Sequence, residues 1–325
     1  MKAHVVVALA ACALIGAGCG SSPPPPAPVT IAPVEAKPAD APEVTTAPRA
    51  VGNTDCDREA SLRPGPQPAP GAMPPGSTMA AIAERGRLIV GVDQNTELWG
   101  FRNPSTDRVE GFDIDLAREI ARAILGDPDR IDLRVVDARD RESALTSGQV
   151  DLVVRTYSIT CERKNTVAFS TVYYDAYQKI LSVKGSGIDS AAALGGKRVC
   201  AVSGTTSLPT LLALNPKPIV VGAANWTDCL VMLQQGQVDA VSTDDAVLAG
   251  LVKQDPNVAV VGPSLGKEPY GIGIRKENGD LVRFVNGALD RMRVDGTWER
   301  LYQTWLSSSL GPSPGPPPPR YQDQP

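Results

Sequence analysis

The segment Gly148-Gln-Val-Asp-Leu-Val-Val-Arg-Thr-Tyr-Ser-Ile-Thr-Cys-Glu-Arg163 decides the fold of this chain. Its composition predicts a turn, a buried β-strand over residues 150–154, and a loop that leads into a helix. Where the strand ends, the side chains become polar: Arg155, Thr156, Ser158, Thr160 and Arg163. Hydroxyls and guanidinium groups at the carboxyl end of an α/β strand can hold a small anion. A solvated polar loop would have the same composition, so this segment alone leaves both interpretations open.

Strands and helices alternate on either side of this segment. Strands are predicted at residues 87–92 and 131–136, and helices at residues 112–125 and 141–148. The alternation predicts a mostly parallel sheet covered by helices. The pattern then recurs, with strands at residues 197–202, 219–221 and 238–242. The sequence GQVDAVST at 236–243 repeats GQVDLVVR at 148–155. This repetition predicts an α/β protein of two similar lobes with a ligand cleft between them.

The same patterns set the expected boundaries. Lobe 1 is predicted to comprise residues 79–181 and 271–310, and lobe 2 residues 182–270. Residues 19–78 are rich in Pro, Ala and Gly and predict a tether followed by an N-terminal arm. Residues 311–325 predict a disordered Pro-rich tail.

The first 18 residues have the features of an export signal. Residues 5–15 form an apolar run that is too short to span a bilayer. Cys19 follows Gly16-Ala-Gly, which resembles a bacterial lipoprotein box, although Gly16 stands where Leu is usual. We expect Cys19 to be lipidated, which would anchor the protein on the extracytoplasmic face of the cell membrane. An ordinary secretory signal with an incidental Cys is the alternative.

Charge and histidine content exclude several functions. The net charge is −4 and the one histidine, His4, lies in the predicted signal. The remainder of the chain therefore lacks the residue for a His-based triad or His metal site, and it has no basic footprint for nucleic acid. The sequence contains no Cys-x-x-Cys pair, which argues against a zinc site. We predict no cofactor, no metal and no catalytic residue.

The cysteines beyond Cys19 are Cys56, Cys161, Cys200 and Cys229. An even number in an exported protein predicts two disulfides, for which three pairings are possible. We favour Cys200–Cys229, within one predicted lobe, and Cys56–Cys161, which would join the arm to the loop beside Arg163.

An ordered set of short motifs covers residues 79–308. The motifs are GFDIDL at 111–116, SITCER at 158–163, FSTVYY at 169–174, GTTS at 204–207, GQVDA at 236–240 and DDAVL at 244–248. The set resembles the polar amino-acid-binding proteins of ABC importers, which belong to bacterial extracellular solute-binding protein family 3. It is close to the glutamate/aspartate/glutamine-binding branch of actinobacterial lipoproteins. The resemblance implies a type II periplasmic-binding-protein fold.

The resemblance also implies roles for individual residues. Arg163 would bind the α-carboxylate of an amino acid, assisted by the hydroxyls of Thr156 and Ser158. Asp244 would pair with the α-ammonium group from the opposite lobe. The ligand-binding residues implied or favoured are Arg163, Asp244, Thr156, Ser158, Thr205, Thr206, Arg141, Arg155 and Trp99.

The preference for the ligand side chain is less constrained. Arg141, with Arg139 and Arg155 nearby in sequence, favours a side-chain carboxylate, and therefore aspartate or glutamate. The first loop, Asp93-Gln-Asn-Thr96, lacks the Arg that related binders can have there, which leaves asparagine and glutamine open. Trp99 and Trp226 are expected to supply apolar walls. Asp113 and Asp115 are predicted to cap the helix that begins near Ile114 and to stabilise its positive end.

Three functions fit these observations. The first is a non-enzymatic, monomeric receptor that hands an amino acid to an ABC permease. The second is a sensor that reports amino-acid supply to a membrane signalling partner, and it needs the same cleft. The third is a small dehydratase on the same fold, which would need a Glu, Asp or Lys as its acid or base.

Overall fold

The computed structural model describes residues 41–46 and 55–322. The predicted signal and Cys19 lie outside these ranges. Within them, no helix has both the length and the apolar character to cross a membrane.

The strands are β1 Ala60–Leu62, β2 Leu88–Val92, β3 Asn95–Thr96, β4 Gly100–Arg102, β5 Val109–Glu110, β6 Ile131–Val135, β7 Leu152–Val153, β8 Val167–Phe169, β9 Tyr174–Val183, β10 Arg198–Val202, β11 Ile219–Ala223, β12 Ala240–Asp244, β13 Val258–Tyr270, β14 Gly273–Arg275 and β15 Arg320–Gln322. The helices are α1 Thr78–Arg85, α2 Phe112–Leu125, α3 Arg141–Thr146, α4 Cys161–Lys164, α5 Ser207–Leu212, α6 Trp226–Gln234, α7 Asp245–Gln254, α8 Gly279–Val294, α9 Thr297–Trp305 and α10 Ser307–Leu310.

Lobe 1 is built on the sheet β6-β2-β7-β14-β8. Strand β2 runs parallel to β6 and β7, and β14 returns antiparallel between β7 and β8. Helix α2 packs its buried apolar face on this sheet and ends at Gly126, whose left-handed conformation (φ 78°) suits glycine. The polar loop after β7 therefore emerges at the carboxyl edge of the sheet, as the sequence predicted.

Lobe 2 is built on the sheet β11-β10-β12-β9-β13. Strands β11, β10 and β12 are parallel, whereas β9 and β13 are antiparallel to their neighbours. Helices α5, α6 and α7 cover the sheet through a second cluster of buried apolar residues. Two α/β lobes with separate cores are the architecture that the sequence predicted.

Strands β9 and β13 connect the lobes and pair with each other. Their pairing runs from Val258↔Val183 to Tyr270↔Tyr174, with a bulge between Val261 and Gly266. The first crossing lies earlier than expected, because Gln178 already pairs with Asp244 in the lobe 2 sheet. We call residues 174–178 and 266–270 the crossing strands.

The C-terminal segment differs from its prediction. Residues 311–322 are not a disordered tail but lie along lobe 1, where β15 pairs in parallel with β1. Proline has no backbone N–H, but its carbonyl can accept a hydrogen bond. Arg293 Nε donates to the Pro317 carbonyl at 3.0 Å. Tyr302 donates to the Gly311 carbonyl at 3.2 Å. The Pro-rich composition indicates that this segment forms few hydrogen bonds within itself. It does not indicate that side chains of lobe 1 donate hydrogen bonds to the segment.

Both favoured disulfides are confirmed. Cys56–Cys161 has a Cα–Cα distance of 5.7 Å, and Cys200–Cys229 has one of 5.5 Å. The second joins β10 to α6 within lobe 2. The first attaches the N-terminal arm to the start of α4, which carries Arg163.

Candidate ligand-binding site

A small cavity lies between the lobes at the carboxyl ends of β7 and β12. Its lining consists of Arg141, Arg155, Thr156, Ser158, Arg163, Thr205, Thr206, Ser207, Trp226, Thr243, Asp244 and Val247. Every predicted ligand-binding residue except Trp99 is among them. The free volume is about 10 Å³, which is room for about one water molecule. Admission of an amino acid therefore requires the lobes to separate or the lining side chains to move.

The loop after β7 is held in an unusual backbone conformation. Thr156 has φ 39°, which is uncommon for a β-branched residue. Its amide donates to Asp113 Oδ2 at 2.7 Å, and the Tyr173 hydroxyl donates to Asp113 Oδ1 at 2.8 Å. Burial is the main cause that raises the pKa of Asp113 to about 7. Asp113 therefore anchors the loop that carries Thr156 and Ser158.

Arg163 is positioned by its own loop and by lobe 2. Thr160 begins α4 as its N-cap and accepts from the Arg163 amide at 3.1 Å. Arg163 Nη1 donates to the Ser158 carbonyl at 2.6 Å, and Nη2 donates across the cleft to the Gly204 carbonyl at 2.9 Å. Its guanidinium carbon lies 4.8 Å from the centroid of the Tyr157 ring. The group is buried and has a fixed orientation, as anion recognition requires.

Arg141 converges on the same carbonyl. It donates to the carbonyls of Ala138 at 2.8 Å and Gly204 at 3.0 Å, and it lies 4.2 Å from the Tyr157 ring centroid. Burial, with repulsion from Arg163, lowers the pKa of Arg141 to about 9, which leaves it charged at neutral pH. In the described part of the chain no carboxylate forms an ion pair with Arg141.

Arg155 has a different environment. Its Nη2 lies 3.0 Å from Asp93 Oδ2, and both side chains are buried. The other oxygen of Asp93 accepts from the amides of Gln94 and Asn95, at 2.8 and 3.1 Å. The first loop thus supplies a carboxylate that neutralises Arg155. Of the other two guanidinium groups in the cavity, that of Arg163 lies at a longer distance, 3.8 Å from Nε to Glu142 Oε1, and that of Arg141 forms no ion pair with a described carboxylate.

Asp244 faces these cations from lobe 2. The Tyr270 hydroxyl donates to its Oδ2 at 2.6 Å, whereas its buried Oδ1 has no hydrogen-bond partner among the described residues. Burial raises the pKa of Asp244 well above its ordinary value, and the nearby Glu268 carboxylate adds to this. Although Asp244 is the N-cap residue of α7, its side chain makes no capping bond. The carboxylate is therefore available for a cationic group.

The threonines after β10 bond within the protein. Thr205 donates to the Val202 carbonyl at 2.7 Å, and Thr206 donates to Glu268 Oε2 at 2.8 Å. In this conformation the Thr206 hydroxyl therefore donates to the carboxylate of Glu268 on β13. The resemblance implied that it would donate to a ligand carboxylate.

Two expectations need correction. Trp99 does not line the cavity: it is fully buried, and its Nε1 donates to the Ala246 carbonyl at 3.0 Å. Trp226 lines the cavity from lobe 2. Asp113 and Asp115 lie in the first turn of α2, at its positive end, but neither caps the helix. Asp113 instead anchors the Thr156 loop, and Asp115 accepts from Trp305 Nε1 at 2.8 Å.

Sequence reasoning also missed three residues that organise the site. Tyr157 provides the ring beside Arg141 and Arg163, and Tyr270 holds Asp244. Asp93 neutralises Arg155. Tyr157 stands between two predicted ligand residues, which was a usable signal. Tyr270 and Asp93 are distant in sequence from their partners, and no local pattern identifies them.

Residues 88–308 match the family model described as bacterial extracellular solute-binding proteins, family 3. The chain belongs to this family. The match contains every cavity-lining residue of this family 3 solute-binding protein. The described parts of its N-terminal arm and its C-terminal segment 311–322 lie outside the match.

Named relatives agree with this assignment. The protein is 38% identical over 230 residues to the ABC transporter glutamine-binding protein GlnH of Bacillus subtilis (strain 168), covering 70% of this chain and 84% of that one. It is 31% identical to the glutamate-binding protein GluB of Corynebacterium glutamicum, covering 73% and 82%. The solved solute receptor for L-cysteine of Neisseria gonorrhoeae superposes with a TM-score of 0.70 at 28% identity, covering 73% and 98%. The first two relatives are named as binding proteins, and this family 3 protein shares the fold of the solved receptor.

Proposed function

We propose that this protein binds a polar L-amino acid with an acidic side chain, aspartate or glutamate, and delivers it to an ABC importer. The observation that carries the proposal is Oδ1 of Asp244, a buried carboxylate oxygen without a described partner, in the same cavity as Arg163 and Arg141.

A zwitterion accounts for both ends of this arrangement. A buried charge is costly unless it is compensated. The α-ammonium group would donate to Asp244, and the α-carboxylate would accept from Arg163, assisted by Thr156 and Ser158. Because Asp244 belongs to lobe 2 and Arg163 to lobe 1, a bound amino acid would hold the lobes together.

The remaining guanidinium favours an acidic side chain. Asp93 already neutralises Arg155, whereas Arg141 bonds backbone carbonyls. A ligand carboxylate is a stronger acceptor for a guanidinium group than a carbonyl is. The relatives named for glutamate and glutamine have ligands of this size, so glutamine and asparagine are the competing ligands, bound more weakly in our proposal.

Location and mode of action complete the proposal. We propose that Cys19 carries a lipid anchor on the extracytoplasmic face, that the protein is a monomer, and that it acts by binding alone. The resemblance of residues 16–19 to a lipoprotein box supports the anchor, and the named relatives support binding without catalysis.

Calorimetric titration of residues 41–325 with the twenty amino acids tests the proposal. We expect aspartate or glutamate to bind with a sub-millimolar Kd and at least about tenfold more tightly than the corresponding amide. Tighter binding of glutamine or asparagine would overturn the acidic preference. Absence of sub-millimolar binding to all four would overturn the proposed ligand class.

A further inference from the structure

We propose that the N-terminal arm, residues 55–62, is a third element of the hinge that stabilises the closed arrangement of the lobes and so raises ligand affinity. The inference rests on the proposed function only in assuming that an amino acid binds in the cleft. The arm lies outside the family match, so its contacts add to those of the family domain.

The arm contacts the crossing strands directly. Strand β13 is an edge strand, and the carbonyl of Lys267 on its outer side accepts from Arg58 Nη2 at 3.0 Å. Lys267 Nζ lies 2.9 Å from Glu59 Oε1 and 3.1 Å from Asp175 Oδ1. Since Asp175 lies on β9 and Lys267 on β13, Glu59 joins an ion-pair cluster that includes both crossing strands. A change in the angle between the lobes must alter this part of the chain.

The arm also fixes the segment that carries Arg163. The Cys56–Cys161 disulfide attaches it to the first residue of α4. Lys164 Nζ donates to the carbonyls of Asp57 at 3.1 Å and Ala60 at 2.8 Å. The α-carboxylate site and the crossing strands are thus both attached to one short segment.

An earlier part of the chain contacts lobe 2. The Val44 amide donates to the Val220 carbonyl at 2.8 Å, and the Gly222 amide donates to the Pro42 carbonyl at 3.0 Å. These bonds cover β11, the opposite edge of the lobe 2 sheet from β13. Residues 42–44 therefore contact one edge strand of the lobe 2 sheet, and residues 58–59 contact the other. Edge strands have unpaired backbone groups, which these contacts partly satisfy.

The consequence for affinity follows from population arithmetic. Ligand binding to a conformation that is only partly populated is weakened by that fraction. The arm contacts exist in an arrangement where the lobes already touch, through Arg163 and Gly204 for example. Loss of these contacts lowers the population of that arrangement and weakens binding without changing any cavity residue.

Substitution of Glu59 tests the inference. We expect Glu59→Gln to weaken amino-acid binding about three- to tenfold in calorimetry and to increase the distance between spin labels placed on the two lobes. The matched control is Asp57→Asn, because Asp57 pairs with Arg320 of β15 at 2.6 Å rather than with the crossing strands. It should bind within twofold of the wild type. The double variant Glu59→Gln/Lys267→Met should bind the amino acid no more weakly than Lys267→Met alone, because the contact between the two side chains is already lost in the single variant.

The disulfides provide a second test. Replacement of Cys56 and Cys161 by Ser should weaken binding at least threefold, whereas replacement of Cys200 and Cys229 by Ser should lower thermal stability with affinity within twofold. If the wild type binds an amino acid and Glu59→Gln binds it with the same affinity, the inference is overturned. Equal losses of affinity in Glu59→Gln and Asp57→Asn would also overturn it. A wild type that binds no amino acid would instead contradict the proposed function.

Discussion

Tyr270 and Asp244 form a hydrogen bond of 2.6 Å that connects a crossing strand to the carboxylate facing the cleft. Tyr270 ends β13 and Asp244 ends β12, so the bond joins the hinge to the proposed ammonium site. Burial raises the pKa of Asp244, and this bond opposes the increase. The charge state of the carboxylate therefore depends on the hydroxyl of a residue that the ligand does not need to touch.

Tyr270→Phe should weaken amino-acid binding, because it raises the pKa of Asp244 further and only the ionised carboxylate pairs well with an ammonium group. We expect a loss of about tenfold, in line with a hydrogen bond to a charged group. The loss should become smaller as the pH rises, because a larger fraction of Asp244 is then ionised. Calorimetry at several pH values measures it, and Tyr302→Phe, which removes a hydroxyl bonded to the Gly311 carbonyl, is the control. A loss that does not depend on pH would contradict the explanation.

Arg163→Ala should reduce affinity at least tenfold, since a charge-assisted contact contributes about 1.5–3 kcal/mol. Arg163→Lys should recover part of the loss, because an ammonium group restores charge without the bidentate geometry. Arg139→Ala is the control: its side chain is exposed and, among the described residues, forms ion pairs only with its neighbours Asp137 and Asp140, both at 3.8 Å. An Arg163→Ala affinity within threefold of the wild type would show that the α-carboxylate binds elsewhere.

Arg141→Gln should weaken the binding of acidic amino acids more than the binding of their amides. We expect glutamate or aspartate to lose at least about tenfold in affinity relative to the matching amide, because the variant removes the cation that favours a side-chain carboxylate. Competition titrations of each acid against its amide give the ratio directly. An unchanged ratio would assign Arg141 to structural support of Gly204 and Tyr157.

Gly204→Ala should hinder closure of the cleft. A Cβ at this position would lie 2.4 Å from the Arg139 Cα in lobe 1, and Gly204 has φ 78°. We expect at least about tenfold weaker binding and a wider separation of the lobes. Gly185→Ala controls for backbone strain, since Gly185 has φ 80° and a Cβ there meets no described atom within 4 Å other than its chain neighbours. Equal effects of the two variants would contradict a specific role in closure.

Asp113→Asn should alter the pH dependence of stability. The folded pKa of about 7 exceeds the ordinary 3.8, so protonated Asp113 favours the fold below about pH 4 and this contribution is lost as the pH rises to about 7. Relative to the variant, the wild type should lose up to about 4 kcal/mol of unfolding free energy across that window. Denaturant unfolding of both proteins at pH 4, 5.5 and 7 measures the difference. A constant difference would show that Asp113 does not titrate there.

Local sequence patterns predicted the strands and helices, and the family resemblance implied most of the residues that line the cavity. Alternating strands and helices placed Thr156 and Asp244 at the carboxyl ends of two strands, where geometry brings them to one cleft. The relationships that the patterns missed join residues far apart in sequence. Asp113 satisfies the Thr156 amide 43 residues away, and Asp93 takes the charge of Arg155. Such pairs arise from how the sheets are arranged, which a helix or strand period does not encode.

The position of Trp99 gives the protein a built-in optical signal. Its indole comes from lobe 1, stands 4.8 Å from the Tyr174 ring centroid, and bonds the Ala246 carbonyl of lobe 2. Separation of the lobes would break that bond and wet the ring, which shifts tryptophan emission to longer wavelength. The chain has four tryptophans, and Trp226 also lines the cavity, so a Trp99→Phe variant identifies the part of the fluorescence change that comes from Trp99. Stopped-flow mixing with an amino acid would then yield opening and closing rates without a label.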